Sequence, residues 1–239
     1  MIVRFRRDGR AYGGSLSLQD GRIVSGGDVL ALEEVELLAP CQPSKIVCIG
    51  LNYVEHAHEL NMALPEEPIL FLKPPSSAIG PYEEIVLPGS SRQVEYEGEL
   101  GVVIGKRCKN VSACDAEGYI LGYTCFNDVT ARDLQRRDGQ WTRSKSFDTF
   151  APIGPWIGQI DPDDADIQTR VNGVVRQRSN TSDLIFNVRR LVEFISSVMT
   201  LYPGDVIATG TPPGVGQLRS GDAVEVEVEG IGVLKNPVA

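Results

Sequence analysis

The stretch Val94-Glu95-Tyr96-Glu97-Gly98-Glu99-Leu100-Gly101-Val102-Val103-Ile104 alternates acidic and other residues through its first half, then becomes apolar from Leu100. That pattern predicts a strand running from the rim of a cleft into a buried core. Glu95, Glu97 and Glu99 occupy alternate positions, so a regular strand projects all three carboxylates from one face, about 6.6 Å apart per pair at roughly 3.3 Å rise per residue. A solvated outer face and a cation-binding face both accommodate three such acids, and the buried continuation from Leu100 favours the second. The sequence has no Cys/His cluster at zinc spacing. The donor set is therefore hard oxygen, which suits Mg²⁺, Mn²⁺ or Ca²⁺ better than Zn²⁺. Asp128, at the end of the next strong strand (residues 119–127), is a candidate third ligand.

Working outward, Lys45 to Gly50 reads as a short buried strand, and Pro40 and Pro43 just before it mark a boundary near residue 42. Residues 1–42 form a small N-terminal β region and residues 43–239 the larger catalytic part. Two Asp-Gly steps, Asp8-Gly9 and Asp20-Gly21, punctuate a hairpin meander over residues 1–30. Asn52 with Glu55 reads as a helix cap, giving a short helix over residues 53–60 that carries His56. Six prolines leave residues 63–90 mostly loop, with one short strand at 69–72. Thr130 with Asp133 repeats the capping pattern. Ser182 opens the long helix, whose Leu184, Val188, Leu191, Ile195 and Val198 share one stripe. Strands at 205–208, 223–229 and 231–234 surround a Gly/Pro-rich loop at 209–216. Many short strands and few helices give an α+β, mainly β class, since a doubly wound sheet needs steady alternation.

Composition narrows the function. Of 239 residues, 42% are hydrophobic and 23% charged, which supports a real core. Net charge is −9 from 23 basic against 32 acidic residues, which repels polyphosphate and anionic lipid. Neither nucleic acid nor membrane is an expected partner. The N-terminus lacks the apolar segment of a signal peptide, and no run of about 18 apolar residues occurs; a cytoplasmic location is expected. The five cysteines form no C-x-x-C pair and read as reduced structural thiols.

His56 and His58 are the only histidines, and two positions apart on a helix they face different ways. Glu59, three residues after His56, shares its face and is placed to orient the ring as a general base requires. Lys145, among mixed aromatic and polar residues, suits a cleft wall or a loop surface. Lys73, after three apolar residues, reads as drawn inward toward an anion or as an ordinary strand end. Arg132 and Gln135 are spaced to grip a carboxylate from one helix face, and the 209–216 loop offers backbone N–H groups or a plain turn.

In order along the chain, Gly50-Leu-Asn-Tyr-x-x-His56-x-x-Glu59, Phe71-Leu-Lys-Pro74, Tyr96-Glu-Gly-Glu-Leu100, Asn127-Asp-Val-Thr-Ala-Arg-Asp133, Lys145-Ser-Phe147 and Gly210-Thr-Pro212 strongly resemble the fumarylacetoacetate hydrolase family over about residues 44–236. The resemblance implies a mixed β-sandwich roll, a homodimer, and a divalent metal, Mg²⁺ or Mn²⁺ with Ca²⁺ as a substitute in crystals. By the same matching, Glu97, Glu99 and Asp128 are the metal ligands, with Glu95 outside the ligand set. His56 and Glu59 match the water-activating dyad, and Lys145 faces the substrate. Lys73, Arg132, Gln135 and Thr211 are expected substrate contacts. The implied reaction is hydrolysis of a C–C bond in a fumarylpyruvate- or acylpyruvate-like 2-oxo acid. The alternative is decarboxylation or isomerisation of a 2-oxo or 2-hydroxy dienoic dicarboxylate in aromatic catabolism, or decarboxylation of oxaloacetate. A non-catalytic binding protein is disfavoured by the intact ligand set and dyad. Residues 60–68 and 75–92 are expected to form the specificity loops.

Overall fold

The computed structural model describes residues 1–59 and 62–239. Among these, strands dominate, with four α-helices: α1 (Val54–Glu59), α2 (Arg132–Asp138), α3 (Thr142–Lys145) and α4 (Val188–Val198). A twelve-stranded sheet runs in the order Asp28–Ala31, Arg22–Ser25, Arg10–Ser17, Ile2–Arg7, Ala151–Gly158, Ile120–Asn127, Gly98–Ile104, Val206–Ala208, Ile46–Gly50 and Ile69–Lys73, with Glu36–Leu37 and Ala78–Ile79 alongside. Val206–Ala208 pairs parallel to Ile46–Gly50 and antiparallel to Gly98–Ile104. A four-stranded sheet of Val174–Asn180, Asp166–Val171, Ala223–Val228 and Gly232–Pro237 packs across it. Between them lies the largest core, where Val47, Leu100, Val102, Tyr123 and Ile207 meet Ile167, Val226, Val228 and Leu234, with Leu191 and Ile195 of α4 closing one side. Apolar surface removed from water on two sheet faces at once holds this sandwich together.

The N-terminal meander forms as the Asp-Gly signal predicts. Asp8 and Gly9 both adopt positive φ between Ile2–Arg7 and Arg10–Ser17, the geometry a two-residue hairpin turn demands. It buries its own cluster of Val3, Phe5, Leu16, Ile23, Leu30 and Leu37. Its first strand joins the large sheet through Ile2 opposite Ile157.

Three local expectations are revised. The strand expected over residues 94–104 is two strands, Val94–Tyr96 and Gly98–Ile104, in different sheets: the first pairs with Thr130–Ala131 and Gly216–Gln217, and the chain turns between sheets at Glu97. The long helix starts at Val188, capped by Asn187, whose side chain accepts from Arg190 N, and not at Ser182. Leu184 instead bridges to Tyr53. Asn52 does not cap α1. Fully buried, its Nδ2 donates to Phe186 O at 3.1 Å and Thr209 O at 2.7 Å while its Oδ1 accepts from Phe186 N. A buried amide finds more partners between two loops than at the end of one helical turn. The expected helix end at Leu60 lies outside the described residues, as does the start of the 60–68 loop.

Four cysteines are buried and Cys114 is exposed, all as free thiols. Burial pushes the Cys41 thiol up to about 12, so it stays neutral and packs as a small apolar group. Among the described residues, no helix is long and apolar enough to cross a membrane.

Asp205 anchors the parallel strand pair. Its fully buried carboxylate accepts from Ser44 N at 2.9 Å, Ser44 Oγ at 2.7 Å, Lys45 N at 3.2 Å and Tyr202 N at 2.9 Å, and pairs with Lys45 Nζ. Burial alone would raise its pKa, but the Lys45 and Ser44 donors outweigh burial and hold it below the usual carboxylate range. Asp205→Asn should therefore cost about 2–4 kcal/mol at neutral pH, read by thermal or denaturant unfolding. A depressed folded pKa contributes stability that is present above the ordinary carboxylate pKa and lost as pH falls through the folded value. The gap between wild type and variant should thus close on acidification below about pH 4; a gap that is constant with pH would refute the charge-based account.

Candidate active site

Where the chain changes sheets at Glu97, three carboxylates converge. Ligand oxygens of Glu97, Glu99 and Asp128 all lie within 4.8 Å of one another, and all three residues are buried. Strand pairing brings this about: Gly98 pairs with Asn127, which places Asp128 beside the turn. Two backbone donations lock it, Asp128 N to Glu97 O at 2.8 Å and Glu97 N to Asn127 Oδ1 at 3.0 Å. Gly98 is required by close approach, since a Cβ there would lie 2.0 Å from Thr169 Oγ1. No side chain fits between the two acidic residues.

Three cations surround the acids. Lys145 Nζ donates to Glu97 Oε2 at 2.8 Å and Asp128 Oδ2 at 2.6 Å. Lys73 Nζ donates to Asp128 Oδ1 at 2.5 Å and Val129 O at 3.0 Å. Arg132 pairs with Glu97 Oε1 through Nη2, with Glu95 Oε2 through Nε at 2.7 Å, and with Gln135 Oε1 at 2.5 Å. Burial opposes ionisation of Glu97, but Lys145 and Arg132 outweigh it and hold its carboxyl well below the usual range. Lys145 shows the mirror effect: burial favours its neutral form, yet Asp128 and Glu97 keep its pKa above the ordinary value.

Glu99 is different. It accepts from Gly210 N at 2.8 Å and, among the described residues, forms no salt bridge. Burial and the neighbouring Asp128 and Glu97 charges push its carboxyl well above the usual range. A buried carboxyl among like charges with hard oxygen donors facing it fits a divalent cation, so Glu97, Glu99 and Asp128 are the residues that would hold Mg²⁺ or Mn²⁺.

The second cluster is on α1. His56 Nδ1 lies 2.9 Å from Glu59 Oε2; His56 is buried and His58 exposed. An ionised Glu59 can only accept, so it places the ring proton on Nδ1 and leaves Nε2 as the acceptor. One loop ties the two clusters together: Gly210 N meets Glu99, while Gly214 N approaches Glu59 Oε1 at 3.4 Å. Gly210 adopts φ +101°, and a Cβ there would press on Asn52 Cβ at 2.8 Å. The 209–216 loop therefore connects the His56–Glu59 pair with the carboxylates.

Three of the four expected substrate contacts, Lys73, Arg132 and Thr211, also hold protein groups. Lys73 is fully buried on Asp128, and Arg132 grips the chain's own Glu95 and Glu97. Thr211 Oγ1 donates to Gly98 O at 2.9 Å and accepts from Gln177 Nε2 at 2.8 Å. These three brace the acids. Gln135 accepts from Arg132 and stays partly exposed. Glu95, expected as a neighbour of the ligands or a solvent-facing acid, is buried and held by Arg132 and Gln93. Sequence reasoning misses Gln177, which accepts from Gly98 N at 3.0 Å and donates to Thr211 and Pro212 O. Its strand belongs to the Asp166–Val171/Val174–Asn180 hairpin, whose Asn172-Gly173 turn was a readable signal. A cavity of 820 Å³ is lined by Phe71, Lys73, Trp141 and Ser146 among others; Lys145 Nζ sits 4.8 Å from the Phe71 ring centroid.

Comparison with known proteins agrees with this geometry. Residues 45–239 match the family described as fumarylacetoacetate (FAA) hydrolase C-terminal. A human mitochondrial oxaloacetate tautomerase is 45% identical across 99% of this chain and 79% of its own length. The crystal structure of a 5-carboxymethyl-2-hydroxymuconate delta-isomerase from Mycobacterium smegmatis superposes with a TM-score of 0.94 at 48% identity, covering 100% of this chain and 98% of that one. A fumarylpyruvate hydrolase from Pseudomonas aeruginosa, solved in complex with Mn²⁺ and pyruvate, gives a TM-score of 0.79 at 34% identity, covering 85% and 91%. With its sandwich, its three converging carboxylates and these matches, the chain belongs to the fumarylacetoacetate hydrolase family.

Proposed function

We propose that this chain is a divalent-metal-dependent hydrolase that cleaves a C–C bond in an acylpyruvate-type 2-oxo acid, fumarylpyruvate-like or acylpyruvate-like. The observation that carries this reading is the His56–Glu59 pair, whose Nε2 is left as a proton acceptor and whose loop also binds Glu99. Mg²⁺ or Mn²⁺ on Glu97, Glu99 and Asp128 would supply Lewis-acid polarisation of the substrate's keto and carboxylate oxygens. His56 takes a proton from water as the oxygen adds to the distal carbonyl, and Glu59 stabilises the imidazolium that results. Cleavage of the adjacent C–C bond then releases a carboxylic acid and leaves the bond's electron pair on the pyruvate fragment, whose carbon takes back the proton held by His56 to give pyruvate. Lys145 brings a positive charge to the developing negative charge, while Arg132, Lys73 and Gln177 keep the acids and the 209–216 loop in place. The relative solved with Mn²⁺ and pyruvate supports both the metal and the product.

A second reading, isomerisation, tautomerisation or decarboxylation of a related 2-oxo or 2-hydroxy diacid, is supported by the isomerase and tautomerase names of relatives at 48% and 45% identity. It would use the same base with no attacking water. Assay with Mg²⁺ or Mn²⁺ against acylpyruvates, fumarylpyruvate, oxaloacetate and dienoic diacids, in heavy-oxygen water with products read by mass, separates the two. The hydrolase reading expects pyruvate and an acid carrying one solvent oxygen. Turnover of oxaloacetate or a dienoic diacid with no acylpyruvate cleavage would replace it with the second reading.

A further inference from the structure

Beyond Ala208 the strand Val206–Ala208 ends, and the edge of Gly98–Ile104 that it covers must find other partners. Thr209 supplies the first, its N and Oγ1 both donating to Leu100 O, at 3.1 and 3.0 Å. Two residues earlier, side chains take over. Thr211 Oγ1 donates to Gly98 O at 2.9 Å, and Gly98 N donates to Gln177 Oε1 at 3.0 Å. Gln177, itself buried, donates through Nε2 to Thr211 Oγ1 and to Pro212 O, both at 2.8 Å. One amide therefore reaches both peptide units of Gly98, the first directly and the second through Thr211. Gly98 is the residue between Glu97 and Glu99, and the loop that carries Thr211 also carries Gly210, on Glu99, and Gly214, beside Glu59. We infer that Gln177 is a positioning residue that couples the metal-holding acids to the water-activating pair: it fixes the turn between Glu97 and Glu99 and, with the same amide, the loop that reaches Glu59. This inference rests on the metal and hydrolase readings given above.

Two observations support it. The acids gather where the chain passes from one sheet to another, so no continuous strand holds Glu97 and Glu99 in register, and the orientation of Gly98 decides whether both face one point. Thr169, directly opposite Gln177 on the neighbouring strand, packs on Gly98 as well, but its Oγ1 is buried without a hydrogen-bond partner among the described residues. Thr169 meets the turn by shape alone, whereas Gln177 meets it by directed bonds that extend into the loop. A misplacement of about 1 Å can cost a catalytic group 10²-fold, so a single amide shared by both segments keeps the acids and the His56–Glu59 pair in one geometry.

The test is Gln177→Met, a side chain of similar length that keeps the packing but cannot donate to the loop. Calorimetric titration with MnCl₂ should show affinity lowered by about 10–100-fold, the usual effect of removing a group that orients metal ligands. At saturating MnCl₂, kcat for acylpyruvate cleavage should fall by about 10–100-fold while KM stays within about threefold of wild type. Amide exchange followed by mass spectrometry should quicken over residues 209–216. Thr169→Val, which loses only an unpartnered hydroxyl on the same face, should keep affinity and kcat within about threefold. A lower melting temperature with affinity and kcat both retained would reduce Gln177 to packing and overturn the inference, as would an equal loss in Thr169→Val or a fall in only one of affinity and kcat. If Gln177→Met fails to fold, wild-type protein decides: MnCl₂ should slow exchange over residues 174–180 as well as 209–216, and slowing confined to residues 94–104 overturns the coupling. Absence of acylpyruvate cleavage by wild-type protein would refute the hydrolase reading alone, with affinity and exchange still deciding the role of Gln177.

Discussion

Glu97→Gln and Glu99→Gln should both lose Mn²⁺ binding and at least about 10³-fold of activity, yet move the melting temperature of the metal-free protein in opposite directions. The loss of binding follows from removing one of three anionic donors that face a single cation. Stability separates them because the two carboxylates have different neighbours. Glu97 is paired on both oxygens with Arg132 and Lys145, so neutralising it strands two buried cations at a cost of about 3–5 kcal/mol. Among the described residues Glu99 accepts only from Gly210 N, and burial with the Asp128 and Glu97 charges pushes it toward its neutral form. A neutral amide there relieves repulsion while an amide oxygen still accepts from Gly210. Metal-free Glu99→Gln should accordingly melt above wild type and gain nothing from Mn²⁺, which stabilises only a native state that binds it. A fall in melting temperature for both variants would mean that Glu99 has a cation partner after all.

His56→Ala should lower acylpyruvate hydrolysis by about 10²–10⁴-fold, the usual range for loss of a general base. Decarboxylation of oxaloacetate by the same variant should suffer less, because it consumes no water and leaves Glu97, Glu99 and Asp128 untouched. The contrast between the two substrates is the measurement that counts. Glu59→Gln should follow the same pattern more mildly, since an amide can still hold the ring but no longer balances an imidazolium. His58→Ala, at an exposed position on the opposite side of α1, should be nearly silent. Equal slowing of both reactions by His56→Ala would remove the water-activating role.

The carboxylates and the dyad were legible because each rests on short-range spacing. His56 and Glu59 are one helical turn apart, and Glu97 and Glu99 flank a single glycine. What lay hidden depends on contacts between distant segments. Nothing near Arg132 in the chain says that its guanidinium meets Glu95 and Glu97, 37 and 35 residues away. Likewise the alternation from Val94 to Leu100 fits one strand as well as two, and only pairing with Thr130–Ala131 on one side and Ile120–Asn127 on the other decides that the chain changes sheets at Glu97. The α4 stripe illustrates the opposite error: Leu184 fits the helical period, but Ser182 lies in a separate 3-10 turn capped by Asn180, Leu184 bridges to Tyr53, and the helix begins only after Asn187.

Lys73 gives the site a hold on folding as well as on chemistry. It sits on Ile69–Lys73, the outermost strand of the large sheet, where Ile69 and Leu72 are exposed. An edge of this kind is free to slip by one residue or to recruit another chain, because its outer N–H and C=O groups lack partners within the sheet. Here a slip would be costly, since it would turn the ammonium out to solvent and bring Leu72 against Asp128. The Asp128 carboxylate therefore acts as a proofreading contact for β-pairing, and a mutation that removes its charge also loosens the protein's defence against misassembly along that edge.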